Sequence, residues 1–426
     1  MYETNKDRMW GKIQTWSKFG DLGNGGITRL SLSPEALKAR DEFKKRIEKL
    51  GMSLEVDDAG NLYATLPGTE EGLKRIVVAS HMDSVKNGGN FDGIFGVLSG
   101  LEAAETIVTN NIKLRHPLTV MVWTNEEGVR FEPAMMSSGI VINGYMQDTV
   151  GDDMPRVLKN YAGEKMFAVK ENGGTITFAE ALIETGYNGD KTNRISPEKY
   201  CAYFEPHIEQ GPVLEDGDFQ IGVVEGVVGM VNYDIILEGI SAHAGTFPQL
   251  KRHDALKAAS KTILTLWDKL LELDSELVFT TGEITVKPNV HTVVPNYVKF
   301  SFDSRHRNPE VLKQVIAIIK NLPKEIEGCK LSYEEHWSRD TVEFNPLLVN
   351  CIENACKGLN YSYHKMYSGA GHDAQFANYM LPATMLFIPS KAGLSHTVVE
   401  YSSPDQTWNG ANVLLNAIIE RDKLDD

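Results

Sequence analysis

Cysteine is scarce: Cys201, Cys329, Cys351 and Cys356 are scattered over 426 residues with no Cys-x-x-Cys spacing. That excludes a disulfide frame or a thiolate metal site and suits reduced thiols in the cytoplasm, so any metal must use histidine and carboxylate. No apolar run approaches the roughly 20 residues needed to cross a bilayer. The start, Met1-Tyr-Glu-Thr-Asn-Lys-Asp7, also lacks the basic and apolar stretches of a signal peptide. A cytoplasmic protein without a membrane partner is expected. Positive charge is short as well: 43 Lys and Arg stand against 58 Asp and Glu, a formal net charge of −15, which argues against nucleic acid or an anionic membrane surface. A small substrate or a cation fits better. Internal repeats and low-complexity tracts are missing too, and the length exceeds the rough prior of about 150 residues per domain, so two domains are expected.

What is present is organised around Ser80-His81-Met82-Asp83-Ser84 and the following Asn87-Gly-Gly-Asn-Phe-Asp92-Gly93. The apolar run Arg75-Ile-Val-Val-Ala79 reads as a buried strand, which places His81 and Asp83 just past its C-terminal end, where open α/β sheets bind ligands. His81 can offer one ring nitrogen to a metal while the Asp83 carboxylate accepts the other ring N–H. The Gly-rich loop then lets the chain fold back to Asp92.

Ser33-Pro34-Glu35 starts an amphipathic helix that Gly51 ends, and a hairpin about Asp57–Asn61 leads into the strand before His81. Val97 to Ile107 has helical spacing, and Pro117 to Trp123 is a second buried strand ending at Thr124-Asn-Glu-Glu-Gly128. This alternation predicts an α/β fold with a mostly parallel sheet. Phe178 to Thr185 reads as a short helix within an otherwise weakly periodic stretch from about 151 to 199. The pattern then changes to strand Val231–Leu237, helix Asp254–Leu271, strands Leu277–Lys287 and Tyr297–Arg305, helix Pro309–Leu322 and a short strand from Leu331. That β-α-β-β-α-β order is ferredoxin-like, with one wet sheet face because Val298, Phe300 and Phe302 alternate with Lys299, Ser301 and Asp303. It is inserted, since helix Leu347–Leu359 and strand Met385–Ile388 return to the first pattern. The expected division is 1–216 and 337–426 for one domain and 217–336 for the insertion.

Five candidate metal ligands stand on separate loops: His81, Asp92, Glu127, His207 and His396. A dinuclear site would use one carboxylate, best Asp92, to bridge ions about 3.5–4 Å apart. Histidine and carboxylate ligands suit Zn²⁺ or Mn²⁺, and the sequence does not choose between them. Neighbouring side chains on a strand point to opposite faces, yet at a strand end running into Gly128 both Glu126 and Glu127 can turn to one site. One can then ligate metal while the other serves as general base.

His81-Met-Asp83, Gly88-Gly-Asn-Phe-Asp-Gly93, Thr124-Asn-Glu-Glu-Gly-Val-Arg-Phe131, His207-Ile-Glu-Gln-Gly-Pro212, Ala242-His-Ala-Gly-Thr246, Ser368-Gly-Ala-Gly-His-Asp-Ala374 and Ser395-His396 occur in this order. Together they resemble the family of N-carbamoyl-L-amino acid hydrolases, β-ureidopropionases and allantoate amidohydrolases, within the dinuclear aminoacylase and metallopeptidase superfamily. The resemblance covers the chain from about residue 30 to its end.

It implies a metal-dependent amidohydrolase with two divalent ions per subunit, splitting the ureido group of a small N-carbamoyl-L-amino acid. His81, Asp92 and His207 would surround one ion, and Asp92, Glu127 and His396 the other, with Glu126 as base. The resemblance also implies a cis peptide at Asp92–Gly93, costing about 3–4 kcal/mol. The inserted domain would act as lid and dimerisation domain, and His243 would reach across a homodimer to stabilise the oxyanion. Gln210 and Arg305 would bind substrate, with His372 beside them. Without the resemblance, His243 reads as an exposed loop histidine and Arg305 as a strand-end charge, and His116, His253, His291, His306, His336 and His364 keep that plain reading. Two departures stand out: Thr292 occupies a substrate position where the family usually has Asn, and Thr-Val-Val-Glu400 replaces a Pro-containing segment after His396. Allantoate hydrolysis is the alternative within the class, and a catalytically inactive homodimer binding metal or ligand the alternative outside it.

Overall fold

The computed structural model describes residues 1–425 and divides into two compact units, Val227–Val342 and the remainder of the chain. Both edges of the insertion fall later than expected. Strand Ile221–Val227 pairs antiparallel with Ala383–Ile388 through Gly222, Val223 and Val224, so all but its last residue belongs to the first unit, whereas Cys329–Arg339 carries the inserted sheet past residue 336.

At the centre of the first unit lies strand Arg75–His81, parallel to Leu118–Trp123 on one side and Tyr200–Ile208 on the other, with Ala383–Ile388 parallel to the latter. These four strands are almost entirely buried, as continuous apolar runs covered on both faces should be. Antiparallel strands finish both edges of the sheet, including the predicted hairpin Ser53–Val56 with Leu62–Leu66. Helix Ile94–Thr109 lies directly on the sheet, and glycine permits the approach: a Cβ at Gly96 would stand 2.2 Å from the Pro206 carbonyl oxygen. Because the central strands run the same way, the loops after His81, Trp123, Ile208 and Ile388 emerge along one edge.

Several elements were not expected, two of them beside buried charge. Helix Lys6–Trp16 precedes the predicted first helix, and its buried face includes Lys12, bonded to Glu102 at 2.6 Å and Glu105 at 2.7 Å. Strand Tyr200–Ile208 is interior despite Glu205, Pro206 and His207. In the second unit Gly229–Glu238 lies between Tyr297–His306 and Cys329–Arg339, all antiparallel, and helices Ala255–Leu271 and Pro309–Lys320 complete the ferredoxin-like order. The predicted strand Leu277–Lys287 is two short ones, Val278–Thr280 and Ile284–Lys287, both paired to Tyr297–His306. Val231, Tyr233, Ile235, Leu237, Val298, Phe300 and Phe302 share a core with the helices, and Lys299 pairs with Asp234 at 3.0 Å on the other face.

Candidate active site

The loops at the C-terminal edge of the first unit bring together His81, Asp92, Glu126, Glu127, His207, Gln210 and His396. Asp92 is shared between two groups, His81–Asp92–His207 and Asp92–Glu127–His396, within each of which the ligand atoms lie within 4.8 Å of one another. Its Oδ1 stands 3.5 Å from His81 Nε2 and 3.0 Å from His207 Nε2, and its Oδ2 is 3.2 Å from His396 Nε2. His396 Nε2 is also 3.5 Å from Glu127 Oε2. Metal–ligand bonds of about 2.0–2.2 Å imply ligand-to-ligand edges of roughly 3.3–3.6 Å in a tetrahedral site, so this spacing suits one ion on each side of Asp92.

The tautomers agree with that use. His81 Nδ1 donates to the Asp83 carbonyl at 3.0 Å and His207 Nδ1 to the Ile208 carbonyl at 2.9 Å, so in the neutral rings both Nε2 atoms present lone pairs. Each lone pair then stands close to an Asp92 oxygen, a contact that a cation between them would make favourable, although His207 Nε2 also accepts the Gly93 N–H at 3.2 Å. Glu127 Oε1, moreover, is buried with no hydrogen-bond partner. Zinc- or manganese-type ions therefore fit this donor set.

The electrostatics carry the same demand for positive charge. Burial pushes the Glu126 carboxyl well above the usual range; His81 opposes this, but Asp373, Glu127 and Asp83 add to it. Burial and Asp92 raise Glu127 to about 8. Burial disfavours charge on His81, yet Glu126, Asp92 and Asp83 outweigh it and raise that imidazole well above its ordinary value. Asp92 goes the other way, held well below the usual carboxylate range against burial by His207, His396 and His81. The hydrogen bond to Asp92 is the main cause lifting His396 to about 9.

Glu126 and Glu127 share the site because the chain turns sharply on either side of them, with φ of +61° at Asn125 and +67° at Gly128. Glu126 Oε2 lies 3.7 Å from His81 Nε2. Gln210, itself at φ +58°, donates from Nε2 to Asp92 Oδ2 at 2.8 Å, so its amide lies at the shared carboxylate. His372 is buried with its ring edge-on to His207, centroids 4.5 Å apart, and its Nε2 2.9 Å from Ser368 Oγ. The remaining predicted residues lie in the second unit. His243 is exposed, and its Nδ1 accepts the N–H groups of Gly245 at 3.0 Å and Thr246 at 3.2 Å, which leaves Nε2–H as an outward donor. Its loop is tied to that of Thr292 through Ala244 N–H donating to the Thr292 carbonyl at 2.9 Å. Arg305 Nε donates to Asp303 Oδ1 at 2.9 Å.

Two expectations need correction. The Asp83 carboxylate does not take the His81 ring N–H, since its Oδ1 is 3.7 Å away and the backbone carbonyl does that work; it faces instead the N–H groups of Glu126 at 3.4 Å and Glu127 at 3.2 Å. The Asp92–Gly93 bond is not cis, because the cis bonds among the described residues are Glu132–Pro133 and Lys287–Pro288. Gly93 makes the reversal through a φ of +65°, and a Cβ there would lie 2.3 Å from the His81 ring.

Several contributors escaped sequence reasoning. Glu205, raised to about 7 chiefly by burial, and Asp373, pushed well above the usual range by burial and Glu205, lie within the sheet and beside His372. Tyr203, Glu205 and His207 alternate along one strand, a period-2 signal that could have found Glu205. Two fully buried arginines brace the ligand loops: Arg29 Nε donates to the Met82 carbonyl at 2.6 Å, and Arg40 Nη2 to Thr124 Oγ1 at 2.7 Å. A third grouping, Asp274, Glu276 and His306, is a poorer metal site. His306 Nδ1 accepts the Asn308 N–H at 2.9 Å, so the ring proton sits on Nε2, and Glu276 is paired with Arg307 at 3.0 Å.

Residues 77–420 match the peptidase family M20/M25/M40. An N-carbamoyl-L-amino-acid amidohydrolase of Rhizobium meliloti is 35% identical over 421 residues, 98% of this chain and 96% of that protein. An allantoate amidohydrolase of Bacillus subtilis (strain 168) is 32% identical over 410 residues, 95% of each. Among solved structures, a hydantoinase/carbamoylase family amidase from Burkholderia multivorans superposes with a TM-score of 0.88 at 33% identity, covering 98% of both chains.

Proposed function

The chain belongs to the peptidase family M20/M25/M40, and from that premise we propose that it hydrolyses the ureido group of an N-carbamoyl-L-amino acid to the amino acid, carbon dioxide and ammonia. The observation that carries the reading is the pair of His/carboxylate groups sharing Asp92, with the Glu126 carboxylate beside them. His81, Asp92 and His207 hold one divalent ion, and Asp92, Glu127 and His396 the other, as Zn²⁺ or Mn²⁺. Such a pair supplies Lewis acidity and a nucleophilic water at neutral pH.

The chain's own residues do the rest. Glu126 takes a proton from the attacking water and delivers it to the leaving nitrogen. One water consumed per carbamoyl group balances amine, carbon dioxide and ammonia. Arg305 pairs its fork of donors with the substrate carboxylate, while Gln210 and His372 line the substrate end of the ions. His243 acts in the partner subunit of a homodimer, donating from Nε2–H to the developing oxyanion, an orientation that the N–H groups of Gly245 and Thr246 support. Thr292, on the loop paired with that of His243, contacts the substrate with a hydroxyl in place of an amide. The inserted unit is the lid whose closure excludes water. A reducing, cytoplasmic setting accords with four buried cysteines outside any disulfide. No helix among the described residues is long and apolar enough to cross a membrane.

Allantoate is the second reading, supported by the Bacillus subtilis relative at 32% identity. The test is ammonia release by the Mn²⁺- or Zn²⁺-loaded protein from N-carbamoyl-L-methionine, N-carbamoyl-β-alanine and allantoate side by side. Turnover of a carbamoyl amino acid is expected. Preference for allantoate would change the substrate and keep the chemistry; no ammonia from any of them, with both ions bound, would overturn the reading in favour of an inactive binding protein.

A further inference from the structure

Asp92 faces a positional problem that its own loop does not solve. Each of its oxygens must look toward a different group of ligands, yet it follows the glycine-rich stretch Gly88-Gly89-Asn90. The order comes from the far end of the chain. Glu400, only 4% exposed, accepts from the Phe91 N–H at 3.0 Å and the Asp92 N–H at 3.1 Å, both at Oε1. Its Oε2 accepts from Ser395 Oγ at 2.8 Å. Glycine at position 89 is part of the fit, since a Cβ there would lie 2.2 Å from Glu400 Oε1. Phe91 and Tyr401, the neighbours of Asp92 and Glu400, meet edge to face at 5.7 Å and join the same two loops.

Ser395 gives the arrangement its direction. Its hydroxyl lies 3.1 Å from Asp92 Oδ2 as well as 2.8 Å from Glu400 Oε2, and it has one proton to donate. Donated to Asp92, that proton occupies the oxygen which faces His396. Donated to Glu400, it leaves Oδ2 with the Gln210 amide, 2.8 Å away, as its other donor. A carboxylate at position 400 therefore does two things: it accepts the N–H groups that aim Asp92, and it draws the Ser395 proton away from the oxygen that the second ion needs.

We infer that Glu400 is a positioning residue that aims Asp92 at both ligand groups and, through Ser395, keeps the Ser395 proton off Asp92 Oδ2, the oxygen that would serve the ion shared with Glu127 and His396. The inference rests on the reading of those three residues as ligands. It applies to the segment Thr397-Val-Val-Glu400, whose sequence departs from the family pattern and whose last residue sequence reasoning left without a role.

The test is calorimetric titration of Mn²⁺ or Zn²⁺ into the chelator-stripped full-length chain, with metal content and a thermal melt recorded for each variant. The wild type takes up two ions. Glu400→Ala weakens the second ion about 10- to 100-fold, the range for residues that orient metal ligands, and lowers kcat with KM unchanged. Glu400→Gln, nearly isosteric, keeps a carbonyl oxygen for the Phe91 and Asp92 N–H groups, but its amide donates to Ser395 and turns the hydroxyl onto Asp92 Oδ2. It therefore also weakens the second ion. Adding Ser395→Ala to Glu400→Gln removes the competing proton and restores the second affinity toward the wild-type value, a rescue that a purely architectural Glu400 would not give. Wild-type titrations from Glu400→Ala and Glu400→Gln, or no rescue in the double variant, would overturn the inference. A wild type that binds fewer than two ions would instead overturn the dinuclear reading beneath it.

Discussion

Glu126 and Glu127 stand side by side in the sequence, and the separate roles proposed for them rest on which atoms each one meets. Glu127 faces His396 and Asp92 within a ligand group, whereas Glu126 belongs to no such group and stands 3.7 Å from His81 Nε2. A carboxylate near the ions but outside the ligand groups is free to move a proton. Glu126→Gln removes the basic oxygen while keeping shape, so kcat is expected to fall by about 10²–10⁴-fold with two ions still bound and KM little changed. Steady-state kinetics together with metal content measure this, and full activity with both ions present would remove Glu126 from the proton path. At this scale the residues that cluster were legible, because histidines and carboxylates at strand ends announce themselves. The contacts of Asp83 and Glu400 with backbone N–H groups were not, because no side-chain pattern reveals them.

At the scale of elements, what was readable depended on whether an element is held by apolar periodicity. Helix Ala255–Leu271 and strand Leu118–Trp123 bury regular apolar faces and were legible to within a few residues. Helix Lys6–Trp16 was missed although Met9, Ile13 and Trp16 recur at helical spacing, because charged residues, the buried Lys12 among them, dilute that short apolar stripe, and strand Tyr200–Ile208 because Glu205, Pro206 and His207 interrupt its apolar run. The ionic contacts give a direct prediction. Lys12→Met leaves Glu102 buried with Arg8 as its remaining cation at 2.6 Å, and the loss should be about 3–5 kcal/mol by urea melt. A change below 1 kcal/mol would mean that Arg8 alone suffices. The joint between helix Pro346–Leu359 and strand Tyr363–Ser368 behaves differently with pH. Glu353 bonds Lys357 at 2.6 Å, Lys365 at 2.8 Å and Tyr363 Oη at 2.9 Å, and these hydrogen bonds pull its carboxyl from 4.5 down to about 2. A carboxyl depressed in the folded state stabilises above its unfolded value and loses that contribution as pH falls toward its folded value. The stability gap between wild type and Glu353→Gln should therefore be constant from pH 7 to 5 and shrink as pH falls from about 4.5 toward about 2. A gap that widens with acid would contradict this origin.

At the scale of the whole molecule, the question is which chain completes which site. The second unit exposes Leu250 fully, Leu264 and Leu271 at 64% each, Ile240 at 61% and Trp267 at 41%. A second copy of the chain is the partner that symmetry favours, and the proposal that His243 serves its partner's ions makes each chain incomplete alone. Two inactive variants can decide this together. Chains carrying His243→Ala retain Glu126, and chains carrying Glu126→Gln retain His243. In a mixed dimer, if His243 crosses over, the site on the His243→Ala chain has its own Glu126 and borrows His243 from its partner, while the other site is doubly defective. Random mixing of equal amounts makes half the dimers mixed, with one intact site in each, so about a quarter of wild-type activity should return. If His243 acts within its own chain, no mixed dimer contains an intact site and the mixture stays as inactive as its parts. Recovered activity that rises with time of subunit exchange and levels off near a quarter would assign His243 to the partner's site. A flat, near-zero trace, with exchange verified by tagged chains, would return it to its own chain and remove the dimer from the mechanism.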